Sequence, residues 1–167
     1  MEKYAVEEFG KIFVLLFKHF TTIGYKTKDL YEFSVYICRE GELITYGECL
    51  YRFKNICKSD KIKDMIIDLE KHIEPIKNLR FEYGYENTKE LTDKEYKINV
   101  MMLKSVLKTM QNDTTLKVAS ELTLISESTI KQACQQGRLL NVYKSGATWI
   151  VNLNEVAKYW NCKIKLE

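Results

Sequence analysis

A chain of 167 residues with 46% hydrophobic and 29% charged residues can build one ordinary domain or two small ones and is too apolar to remain disordered. Its net charge of +3 permits nucleic-acid contact but excludes a surface that is basic throughout, so any steering field must come from local clusters of Lys and Arg. A single proline, Pro75, and abundant Lys, Glu, Leu and Ile favour helix and leave little room for structureless linkers.

The first predicted element is an amphipathic helix over Glu2–Phe20, in which Val6, Phe9, Phe13, Phe17 and Phe20 step by three and four, with Ile12, Leu16 and His19 beside them. The apolar run Ile12–Phe17 is too short to span a bilayer. Glu2, Glu7 and Glu8 stand where a signal peptide would carry positive charge, so a cytoplasmic location is expected. Gly24 stops this helix. A second, from Thr27 or Lys28 to Arg39, would bury Leu30, Phe33, Val35 or Tyr36, and Ile37, with Gly41 at its end. A short extended link from Glu42 leads into a helix over about Gly47–Cys57. Ser59 caps the next, where Ile62, Met65, Ile66, Leu69 and Ile73 repeat at helical spacing. Pro75 forces a break, after which Ile76, Leu79, Phe81 and Tyr83 continue for a further turn or two, and Gly84–Lys89 reads as a loop. Thr92 and Glu95 form a capping box for a helix to about Gln111, with Tyr96, Ile98, Met101, Leu103, Val106, Leu107 and Met110 available for burial. Asn112 and Asp113 end it, at the expected junction between a helical domain, residues 1–112, and a C-terminal domain, residues 113–167.

Nothing in this helical block points to catalysis. There is no phosphate loop, no nucleophile elbow and no HExxH zinc motif. Cys38, Cys49, Cys57, Cys134 and Cys162 contain no CxxC pair and His19 and His72 are the only histidines, so no metal or cofactor is expected and the thiols read as reduced and mostly buried. The abundant Tyr and Phe fall at helical spacing and read as core, and the mixed-sign runs Lys58–Lys61 and Lys94–Lys97 as solvated faces. The chain is not expected to be an enzyme.

The last third is more informative. Thr114 and Thr115 can cap a short helix whose inward face is Leu116, Val118, Ala119 and Leu122, with Ser120 at a close helix crossing. Thr123, Leu124 and Ile125 form a turn, with Ile125 in the core. Ser126 caps a second helix, Glu127–Gln136, that turns Ile130, Ala133 and Cys134 or Leu139 inward and stops at Gly137. Its outer surface carries Ser126, Ser128, Thr129, Lys131, Gln132, Gln135 and Gln136, with Arg138 just beyond. Leu139–Tyr143 and Thr148–Asn152 form a β-hairpin around Lys144, Ser145, Gly146 and Ala147. Asn152 and Glu155 cap a final helix, in which Val156, Tyr159 and Trp160 join Trp149 in closing the core.

Helix, tight turn, helix, hairpin and helix make a winged helix-turn-helix, an arrangement that presents one helix to a DNA major groove. The expected fold class is therefore mainly α: an N-terminal helical bundle followed by a C-terminal winged helix-turn-helix with a small β-hairpin. Residues 113–167 carry seven basic and five acidic groups against 19 and 18 in residues 1–112, a weak asymmetry in the required direction. Gln can pair with adenine, Ser or Thr with bases or phosphates, and Lys131, Arg138 and a Lys144–Ser145 hairpin tip with the backbone.

Leu116–Thr123, Ile125–Ile130, Gly137–Leu139 and Gly146–Val151 resemble the small winged helix-turn-helix domains of the excisionase and MerR-like superfamily, over about residues 114–161. The resemblance implies double-stranded DNA binding, with Ser126, Ser128, Thr129, Lys131 and Gln132 on the reading helix and Lys144 on the wing. The family usually has glycine in the turn where this chain has Leu124, so the turn must change shape or Leu124 must pack outward onto the N-terminal block. A transcriptional regulator of a phage or mobile element is expected. The alternatives are a recombination-directionality factor of the excisionase kind and a protein–protein interaction module whose winged domain docks or localises it. A single winged module covers one half-site, so residues 1–112 are expected to supply homodimer or partner contacts.

Overall fold

A computed structural model of the chain describes residues 2–22, 44–81 and 91–165. It is mainly helical with two small antiparallel sheets. The expected helix at 27–39 and the loop at 84–89 lie outside the described residues. The elements are α1 (Glu2–Thr22), β1 (Ile44–Thr45), α2 (Tyr46–Ile56), α3 (Asp60–Glu70), β2 (Arg80–Phe81), α4 (Asp93–Met110), β3 (Asp113–Thr115), α5 (Leu116–Thr123), α6 (Glu127–Gln135), β4 (Val142–Ser145), β5 (Thr148–Asn152) and α7 (Leu153–Tyr159). No helix among the described residues is long and apolar enough to cross a membrane.

The chain divides into two compact units, Met1–Leu16 with Tyr25–Thr109, and Phe17–Gly24 with Met110–Glu167. The division falls close to the expected junction at 112–113, but the last turns of α1 group with the C-terminal unit. Phe17, expected on the apolar face of α1, is 47% exposed.

In the first unit, Phe9 of α1 meets Tyr46 and Phe53 of α2 and Phe81 of β2, with ring centroids 4.7, 5.4 and 5.5 Å away. Ile62, Ile66 and Leu69 of α3 and Ile98 and Met102 of α4 complete the core. Burying each such side chain contributes about 1.5–3 kcal/mol before chain entropy is counted. Thr45 and Ser59 cap α2 and α3, accepting backbone N–H groups at 3.2 and 3.3 Å. Phe81 is a strand residue rather than part of a helical turn after Pro75, because Ile44 and Thr45 pair with Phe81 and Arg80.

The expected capping box is present: Glu95 N–H donates to Thr92 Oγ1 at 3.2 Å, and Thr92 N–H to Glu95 Oε1 at 3.1 Å. The face that α4 buries matches expectation at Ile98 and differs elsewhere. Glu95, Ile98, Asn99, Met102 and Ser105 are buried, whereas Tyr96, Leu103, Leu107 and Met110 are exposed. Partners for the polar groups explain the choice. Arg80 donates to Glu95 at 2.8 Å, Tyr46 Oη to Asn99 Oδ1 at 3.0 Å, and Ser105 Oγ to the Glu7 carbonyl at 2.7 Å.

In the second unit, Ala119, Ile130, Ala133, Cys134, Leu139, Val142, Trp149, Val151, Leu153 and Val156 form the core. Its sheet has the order β3-β5-β4. The third strand, Asp113–Thr115 paired with Ile150–Asn152, was not anticipated from sequence. Two expected core residues lie outside: Val118 is 38% and Tyr159 is 44% exposed. The buried turn of α5 is formed instead by Ala119 and Thr123, whose hydroxyl donates to the Ala119 carbonyl at 2.7 Å. Burial pushes the Cys134 thiol up to about 12, with Glu155 adding to the effect, so it packs as a neutral side chain.

Candidate nucleic-acid interface

Thr115 Oγ1 caps α5 by accepting the Val118 N–H at 3.3 Å. Because Thr115 also pairs with Ile150, the first turn of α5 starts beside the hairpin strand β5. At the other end of α5, Leu124 adopts φ 62° and ψ 14°, and its N–H donates to the Ser120 carbonyl at 2.9 Å. The turn thus keeps the left-handed geometry that glycine would supply, and the leucine side chain points into solvent, 68% exposed. That conformation costs a leucine roughly 1–2 kcal/mol.

Ser126 caps α6, accepting the Thr129 N–H at 3.3 Å. Its Oγ also lies 2.7 Å from Thr129 Oγ1 and 3.2 Å from Ser128 Oγ. The hydroxyls of Ser126 and Thr129 are therefore engaged with one another, and Thr129 is half-buried. Ser128, Lys131, Gln132 and Gln135 are exposed and, at i, i+3, i+4 and i+7, share one helix face. Opposite them Ile130, Ala133 and Cys134 are buried. Gly137, at φ 68°, stops the helix where expected.

Arg138 is not brought to this face. Its guanidinium carbon lies 5.9 Å from the centre of the Tyr159 ring, and Nη1 is 3.5 Å from Tyr159 Oη. The same arrangement accounts for the exposed position of Tyr159, whose ring serves Arg138 on one side and meets Trp160 edge-on at 4.7 Å.

The hairpin turns through Gly146 and Ala147, between the paired residues Ser145 and Thr148. Gly146 has φ 63° and is the only turn residue with positive φ, the pattern of a turn with glycine first. Lys144 pairs with Trp149, and its Nζ lies 5.1 Å from the indole ring centre. Ser145 is exposed beside it.

Between the start of α5, the flank of α6 and the hairpin lies an open cleft of about 320 Å³, whose lining includes Lys117, Glu127, Ser128, Lys131, Thr148 and Trp149. Of the residues singled out in the sequence, it gathers Ser128 and Lys131. Lys117 and Thr148 were missed. Lys117 reads as an ordinary outward helix residue until β3 is recognised as a strand, and only that pairing sets α5 against the hairpin. Among the described residues neither Lys117 nor Lys131 takes part in an ion pair.

Two of the unit's carboxylates, Asp113 and Glu155, are engaged by buried polar groups. Lys18, 3% exposed, donates to Asp113 Oδ2 at 2.6 Å and to Asn141 Oδ1. Burial lowers the Lys18 pKa, while the Asp113 carboxylate and, to a lesser degree, Glu155 oppose the shift. Asp113 Oδ1 accepts Asn152 Nδ2 at 3.0 Å. Glu155 accepts the Asn141 N–H at 3.0 and 3.1 Å, and its own N–H donates at 3.2 Å to Asn152 Oδ1, which caps α7. With Asp113 and Glu155 occupied, Glu121 and Glu127 are the exposed acids of the described part of this unit, against Lys117, Lys131, Lys144, Lys158, Lys163 and Lys165. The outer face is more basic than the formal charge suggests. Comparison with protein-family models, with curated proteins and with solved structures finds no match to this chain.

Proposed function

We propose that the protein binds double-stranded DNA sequence-specifically through a C-terminal winged helix-turn-helix similar to those of the excisionase and MerR-like superfamily, and acts as a transcriptional regulator of a phage or mobile element. The supporting observation is the cleft bounded by Lys117, Lys131 and the hairpin, beside the outward polar face Ser128–Lys131–Gln132–Gln135. A helix whose polar face stands next to a hairpin carrying Lys144 matches the division of labour in winged domains, where the helix meets base edges and the wing meets phosphates. Glu127 at the cleft rim opposes phosphate there and leaves Lys117 and Lys131 in excess.

The test is retardation of duplex DNA across a salt series. Wild type is expected to lose affinity steeply as salt rises, and Lys131→Ala with Gln132→Ala to weaken retention and flatten the salt slope by about one. Retention unchanged by the pair counts against this reading. If no duplex is held even at low salt, the protein-interaction reading replaces it, a reading favoured by the exposed apolar residues Tyr96, Leu103 and Leu107 on α4. In the DNA-binding reading the same surface serves a homodimer, because one module contacts only a half-site. Light scattering at roughly tens of micromolar that reports a monomer removes the dimer from the proposal.

A further inference from the structure

We infer that the exposed face of α6 selects adenine over guanine, through the side-chain amides of Gln132 and Gln135; this rests on the proposal that α6 enters the major groove. Three observations narrow the choice of base. First, α6 contains no arginine and a single lysine, Lys131. Second, Lys131 belongs to the cleft, on the side shared with Lys117 and Thr148. Gln132, turned by roughly 100° from Lys131 on the same exposed face, is not among the residues that line the cleft. Third, the Ser126 and Thr129 hydroxyls are occupied by each other and by the cap.

Ser128 also lines the cleft, with its Oγ 3.2 Å from Ser126 Oγ, so what remains for the base edges is Gln132 and Gln135, both exposed and at i+4 and i+7 from Ser128. The chemistry of those groups is selective. Adenine offers the groove an acceptor, N7, and a donor, N6–H, which a glutamine amide matches with its own N–H and C=O. Guanine offers two acceptors, N7 and O6, and asks for two donors, the pattern of arginine or lysine. Set against guanine, the glutamine carbonyl would face O6 with no proton between them. Both glutamines stand on a helix fixed at its ends by Ser126 and by the left-handed Gly137, so their reach is set by the backbone rather than by loop motion.

The experiment is selection of duplexes by the full-length chain from a random pool, followed by fluorescence anisotropy on the best site and its single-base variants. Supporting results are a half-site defined by adenines and a loss of roughly 5- to 150-fold when such an A·T pair becomes G·C. Gln132→Ala should then flatten the preference at one position, and Gln132→Arg should move it toward guanine there. A half-site defined by G·C pairs and indifferent to Gln132→Ala and Gln135→Ala overturns the inference while leaving DNA binding intact, as does binding without sequence preference. Failure to hold any duplex at low salt overturns the DNA-binding proposal and this inference with it. Both glutamines are exposed, and an unchanged far-UV spectrum of each variant verifies that the fold is retained.

Discussion

Leu124 shows how a single residue can violate a local rule and still be kept. At φ 62° and 68% exposure, its side chain gains almost nothing from burial to offset the left-handed backbone. Leu124→Gly removes the strain of roughly 1–2 kcal/mol and returns part of it as chain entropy in the unfolded state. A net gain of about 0.5–1 kcal/mol in urea unfolding is expected, and a loss would show that Leu124 makes contacts that stabilise it. Glu95 makes the opposite case. Hydrogen bonds from the Arg80 guanidinium, against the cost of burial and aided by Thr92 and the Arg80 backbone, hold its pKa at about 2, below the ordinary 4.5. A depressed carboxylate stabilises fully above its unfolded pKa and loses that contribution as pH falls toward the folded value. A loss on the order of 3 kcal/mol is therefore expected between about pH 5 and pH 2. Far-UV denaturation curves at several pH values should show Glu95→Gln less stable at pH 7 and flatter across that window.

At the level of elements, sequence was informative where local chemistry decides and silent where pairing across the chain decides. Thr92 with Glu95, Ser59, Ser126, Gly137 and Gly146 each marked a boundary correctly, because a cap or a positive φ depends on only a few neighbouring residues. The strands β1, β2 and β3 are two or three residues long, too short for any alternation to register, and their existence depends on partners far along the chain. Helix α4 misled for a different reason. Its inward face includes Glu95, Asn99 and Ser105, buried because Arg80, Tyr46 and the Glu7 carbonyl complete them, so hydrophobic spacing found Ile98 but not the polar residues beside it. In the candidate interface, the outward face of α6 was legible from periodicity, whereas Lys117 and Thr148 required β3, and the place of Arg138 required Tyr159.

At the scale of the whole molecule, a helix that begins in one compact unit ends in the other. Leu16 belongs to the first unit and Phe17 to the second, so Lys18 near the N-terminus of the sequence completes a polar cluster built from Asp113, Asn141, Asn152 and Glu155. Removing one partner of a buried ion pair strands the other, which costs about 3–5 kcal/mol. Lys18→Met is expected to destabilise the C-terminal unit by about 3 kcal/mol, at the lower end because Asp113 keeps the Asn152 amide. Thermal unfolding followed by tryptophan emission checks this, since both tryptophans, Trp149 and Trp160, lie in that unit. A second substitution, Asp113→Asn, should recover part of the loss. The position of Lys144, 5.1 Å over the Trp149 indole, has a practical consequence of its own. Were a polyanion to draw the ammonium off the ring, the electric field at the indole would change, and tryptophan emission would register it without a dye or label.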